Sequence, residues 1–168
     1  MSKKPIKVTL KMSEITYDIQ NNTYLKGVRM DDGSNYESAY NIQLDARDEN
    51  YNKMLRSIST AWANLRLETR KYLNIAKNEN PDNILIDDKG DITVQLLMPD
   101  NWNDANTDVL PEIMHQYIVN FAIAEWMAVS NTEDASQYYT DAAAYMSRLK
   151  VAMCDRVAPA SRIGCMLG

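Results

Sequence analysis

Apolar residues along this chain follow two rhythms, one repeating every second position and one every three to four, and their order predicts the fold. The stretch IKVTLKM, residues 6–12, sets Ile6, Val8, Leu10 and Met12 against Lys7, Thr9 and Lys11, the period of a strand with one buried face. Residues 13–27 have Ser13 placed to cap a helix and Gly27 placed to end it in a left-handed turn, which predicts a short helix. From 28 to 45 no period holds and DDGSNY interrupts, so a long connection is expected.

The clearest helical signal spans residues 48–74. Tyr51, Met54, Leu55, Ile58, Ala61, Trp62, Leu65, Tyr72 and Leu73 recur at three and four positions, along one face. Asp48 and Glu49 at its start and Arg70 and Lys71 near its end match the helix dipole. At 1.5 Å per residue such a helix would run roughly 40 Å and brace the whole domain.

Residues 80–101 break that pattern with two apolar runs on either side of the turn DDKGD, which predicts a β-hairpin inserted between helices. Its apolar positions are Ile84 and Ile86 in the first arm and Ile92, Val94 and Leu96 in the second. A lone hairpin is marginal in water, so this one must pack on a helix, pair with the strand at 6–12, or be donated to a neighbouring chain.

Residues 109–131 return to the helical period, with Pro111 in the first turn, where proline is tolerated. Ile113, Met114, Tyr117, Ile118, Phe121, Ala122, Ile123, Trp126 and Met127 make the helix apolar over more than half its circumference, so it should be central. After SNTEDA a last helix carries Ala135, Tyr138, Tyr139, Ala142, Tyr145, Met146, Leu149, Ala152 and Met153, forming an antiparallel pair with the one before it. Its tyrosines alternate with alanines, which suits helix packing; whatever side stays apolar after folding should face a neighbouring subunit. Residues 158–168 form a small-residue tail whose Ile163, Met166 and Leu167 predict docking. The expected architecture is one mainly α domain over 1–168: an antiparallel helical bundle with one long helix, an inserted β-hairpin and a short N-terminal strand.

Composition narrows the function classes. A chain of 168 residues can bury about 70% of its unfolded surface and needs no disulfide or metal staple. Its formal net charge is -5, and no run of basic residues exceeds Lys3 and Lys4, which argues against gripping a nucleic-acid backbone. No segment has the apolar length of a membrane span, and the first residues lack a signal-peptide run, so a cytosolic protein or a particle assembled there is expected.

Chemistry-bearing residues are sparse. Cys154 and Cys165 are expected as free thiols, and with the lone His115 they cannot complete a zinc site without carboxylates or another subunit. His115 lies three positions from Glu112, on one helix face, but no nucleophile pattern accompanies it. DDGSN and DDKGD lack the order of a calcium loop and read as polar turns. The five glycines form no phosphate-cradling loop. No enzymatic activity, metal or cofactor is expected.

Three stretches carry a family resemblance: IKVTLKMSEITYDIQNNTYLKG, NKMLRSISTAWANLRLETRKYLN and IVNFAIAEWMAVSNTEDASQYYTDAAAYMSRLKVAM. Together they resemble the small helical head-tail connector proteins of tailed bacteriophages, the adaptor or ring proteins under the portal, including those of crAss-like phages. The resemblance covers most of the chain and rests on helix order, the inserted hairpin, the aromatic and alanine rhythm, and size. It implies a structural virion protein of the neck, assembled in the host cytoplasm. Its ring, commonly of twelve subunits, would contact the portal and other neck or tail proteins and let DNA slide through without specific binding. The candidate interface residues are Tyr138, Tyr139, Tyr145, Ile84, Ile86, Ile92, Val94, Leu96, Ile163, Met166 and Leu167. On this reading, removing the tail after Pro159 abolishes assembly. The main rival is a soluble helical regulator or scaffold that binds one protein partner and ignores that deletion; a second is an enzyme with a site built between subunits.

Overall fold

The computed structural model describes residues 2–34, 36–44, 48–75 and 90–157. Strands β1 (Lys3–Leu10) and β2 (Ile92–Pro99) pair antiparallel, with Ile6 opposite Leu96, Val8 opposite Val94 and Leu10 opposite Ile92. Alternation places Val8, Leu10, Ile92, Val94 and Leu96 on the buried face and Lys7, Thr9 and Thr93 on the exposed one. A one-residue slip would turn those five side chains to water, so the register is strongly specified.

The second arm of the expected hairpin is thus β2, and its partner is β1. The first arm, with Ile84 and Ile86, lies outside the described residues. Ile92, Val94 and Leu96 correct one expectation: they are core residues of the protomer and are not available to a neighbour.

Helix α1 (Met12–Met30) is longer than expected at both ends. Met12 is its first residue and not the end of the strand, and the cap position is Lys11 and not Ser13. Gly27 lies inside the helix, where it permits close approach to α2 (Tyr36–Ile42): a Cβ there would stand 2.6 Å from Gln43 Cγ and 2.7 Å from the Ala39 carbonyl oxygen. The turn between the two helices uses Gly33 at φ +83°, and the Asp31 and Asp32 carboxylates accept the Gly33 and Ser34 amides at 2.9 Å. The expected connection at 28–45 therefore contains the end of α1 and a helix of its own. Buried Thr23 secures that helix to α1, donating to the Ile19 carbonyl and accepting the Leu44 amide at 3.3 Å.

Helix α3 (Asp48–Thr69) buries Met54, Ile58, Ala61 and Leu65. It gives way to a single 3-10 turn (Arg70–Tyr72) and stops short of residue 74. The sheet edge is the reason: Leu73 bridges to Leu96, and the Asn74 amide donates to the Gln95 carbonyl at 3.0 Å.

Helix α4 (Val109–Ser130) is central, touching β1, α1, α2, α3 and α5. Eleven of its residues are buried, among them Leu110, Met114, Ile118 and Ile123, each contributing about 1.5–3 kcal/mol on transfer from water. Helix α5 (Thr132–Cys154) starts at the Asn131 cap, whose side chain accepts the Asp134 amide, and packs antiparallel on α4 through Ala135, Ala142, Leu149, Ala152 and Met153. Trp102 closes the core, its indole N–H donating to the Ala152 carbonyl at 2.9 Å. Among the described residues no helix is long and apolar enough to cross a membrane.

Candidate functional site

Three surface features carry what chemistry the fold presents. The first is a cleft of about 690 Å³ where α1 meets the start of α4, lined by Lys11, Glu14, Tyr17, Asp108, Glu112 and His115. His115 is nearly buried, and its Nε2 stands 2.6 Å from Asp18 Oδ2 of α1. Its partner is therefore Asp18 and not Glu112, which instead accepts the Gln116 amide at 3.0 Å. A carboxylate on one ring nitrogen orients an imidazole, but the only lining hydroxyls are those of Thr9, Ser13 and Tyr17, and none is bonded to the ring. Among the described residues no group of three His, Cys, Asp or Glu side chains could hold a metal ion. The pair works as a link between two helices.

The second feature is the outer side of α1. Its core side is the row Met12, Ile15, Ile19, Thr23 and Gly27. Directly opposite, at about 100° per residue, run Tyr17 (65% exposed), Tyr24 (54%) and Val28 (48%), with Leu25 beside them. Two further tyrosines, Tyr36 and Tyr40, stack at 6.3 Å on exposed positions of α2. Sequence reasoning missed this row because residues 13–27 were read for their ends and not for their faces. The signal was present: positions 17, 24 and 28 share one helical side, interleaved with the core positions 15, 19, 23 and 27.

The third is a groove of about 350 Å³ between α3 and α5, floored by Tyr117 and Phe121 of α4 and walled by Leu67, Tyr139, Ala143 and Met146. Tyr139 stays 39% exposed and meets Phe121 edge-on at 5.9 Å. Tyr138 and Tyr145 are half-buried against the core on the other flank of the helix, and Tyr145 carries the Arg148 guanidinium 5.3 Å above its ring. The tyrosines thus divide, two packing on the core and one facing the groove. Burial pushes the Tyr117 hydroxyl pKa up, partly offset by the Asn64 amide that donates to it at 3.3 Å. Burial likewise raises Tyr138, against the pull of Lys26, and Tyr139.

Cys154 is exposed at the end of α5 beside the Tyr72 hydroxyl, and Cys165, Ile163, Met166 and Leu167 lie outside the described residues. Comparison with protein-family models, curated proteins and solved structures returns no match to this chain.

Proposed function

We propose that this chain is the repeating subunit of a ring in the neck of a tailed bacteriophage, joining the portal to the tail and extending the DNA channel. The second apolar side of α1 carries the reading. A row of two tyrosines and a valine, set opposite the core side of the same helix, gives an isolated protomer no stability. Seated on another chain it buries aromatic surface with little loss of conformational freedom, since tyrosine has few rotatable bonds. Repeated around an axis, such a contact joins unlike faces of neighbouring copies and closes into a ring when the rotation permits. The net charge of -5 suits a lumen through which DNA slides without being held. The portal and other neck or tail proteins are the remaining partners on this reading.

The test is the mass of the purified protein by light scattering near neutral pH, alone and then mixed with a purified portal ring. A discrete ring, alone or on the portal, supports the proposal. A stable monomer that ignores the portal overturns it and leaves the α1 row to a single protein partner, as in a helical regulator or scaffold.

A further inference from the structure

We propose that residues 158–168 dock in the groove between α3 and α5 of their own protomer. The first ground is where the chain leaves the described fold. The Arg156 guanidinium donates to the Met153 carbonyl at 2.9 Å and to the Tyr72 hydroxyl at 3.3 Å, and the Val157 amide donates to the Asn101 carbonyl at 2.8 Å. These bonds hold the exit beside the ends of both helices that wall the groove. Lys150 of α5 and Glu68 of α3, paired at 3.3 Å, mark how closely those ends run.

The second ground is length. Met146 precedes the end of α5 by eight positions, which puts the near end of the groove about 12 Å back along the helix, with Tyr139 at about 22 Å. An extended chain covers about 3.3 Å per residue, so Ile163 reaches roughly 20 Å from Val157 and Leu167 roughly 33 Å. The apolar side chains of the segment span the groove with slack.

The third ground is chemical fit. Ala142 and Ala143 leave the groove concave, and Leu67, 57% exposed, gives it an apolar wall that nothing else described covers. Ile163, Met166 and Leu167 supply aliphatic and thioether groups for the rings of Tyr117, Phe121 and Tyr139, and a methionine sulfur is attracted to such rings. Charge agrees as well. Glu68 is the one charged side chain lining the groove, and Arg162 is the one charged side chain in the segment. The inference concerns a single protomer and stands apart from the ring proposal.

Cys165 makes the test direct. In the full chain with Cys154→Ser, a cysteine is placed on the groove wall by Leu67→Cys or Ala143→Cys, both at exposed positions, or on the outer side of α1 by Tyr24→Cys as control. Mild oxidation at low protein concentration is followed by peptide mass mapping. The expected result is a disulfide within one protomer to position 67 or 143, forming at least about ten times faster than to position 24. Equal rates at all three positions overturn the proposal, as does a disulfide that links only two different protomers, which would give the groove to a second copy.

Discussion

His115 and Tyr117 stand two positions apart on α4 and bind opposite neighbours. The imidazole of His115 meets Asp18 of α1 at 2.6 Å, and the hydroxyl of Tyr117 accepts the Asn64 amide of α3 at 3.3 Å. Two steps along a helix turn a side chain by about 200°, so α1 and α3 flank α4 on opposite sides. The outer row of α1 and the groove beside α3 consequently face away from each other, and each can be altered without touching the other.

Tyr24→Asp combined with Val28→Asp tests the α1 row alone. Both side chains point to water, so the fold should lose less than about 1 kcal/mol. Assembly should be lost, because a neighbour would have to bury two unpaired carboxylates. Light scattering against a urea titration separates the effects: an unchanged ring refutes a contact through α1.

Replacing His115 by Phe should cost about 1–2 kcal/mol, the loss of one charge-assisted bond between α1 and α4, while Asp18→Asn, which can keep a hydrogen bond, should cost less. A double-mutant cycle read from urea midpoints isolates the pair. Additive costs would mean that the two side chains do not couple.

That pair shows where sequence reading stops. Helices α3, α4 and α5 and the inward face of β1 were legible because periodicity is local, and Ile58, Ile118 and Leu149 occupy the faces that spacing assigned them. The extent of α1 was misread because a glycine at a plausible stopping place looks the same whether it ends a helix or admits a neighbour. Gly27 does the second, and only the position of Ala39 and Gln43 reveals it. Asp18 and His115 meet across most of the chain, a contact that no spacing rule encodes, so Glu112 was the nearest carboxylate in sequence but not in space. Of the candidate interface, Tyr139 kept an open face, and β2 went to the core because β1 supplied the strand partner it lacked.

Gly27→Ala should therefore destabilise. Alanine gains about 1 kcal/mol of helix propensity, but its methyl must displace the Ala39 carbonyl and Gln43, and overpacking costs about 1–3 kcal/mol. The expected net loss is about 1–2 kcal/mol, seen as a lower urea midpoint; a rise would mean that α2 slides away freely.

Stability should fall at both ends of the pH range. Tyr117 and Tyr138 have folded pKa values above the usual 10.0 through burial, so the folded chain keeps phenolic protons that the unfolded chain loses. Their contribution is fully present below pH 10 and is lost as pH rises beyond it. Asp155 acts oppositely. The Asn106 and Asn103 amides hold its carboxyl below the usual 3.8, so its contribution is present above that value and lost as pH falls through the folded pKa. Denaturant midpoints from pH 9 to 12 should decline, and Tyr117→Phe should flatten the decline; equal slopes would remove Tyr117 from the alkaline limb.

The pairing of Lys3 with Pro99 has a consequence for synthesis. β1 is among the first residues made, and its partner strand is completed only when residue 99 has been added. At roughly 5–20 residues per second, the new strand waits on the order of ten seconds on the ribosome with its hydrogen-bonding edge open. Neighbouring nascent chains on one messenger pass through the same state. Lys3, Lys4 and Lys7 repel a second copy of the strand, and Pro5 withholds a donor from it, so the sequence that marks this edge also protects the chain during translation.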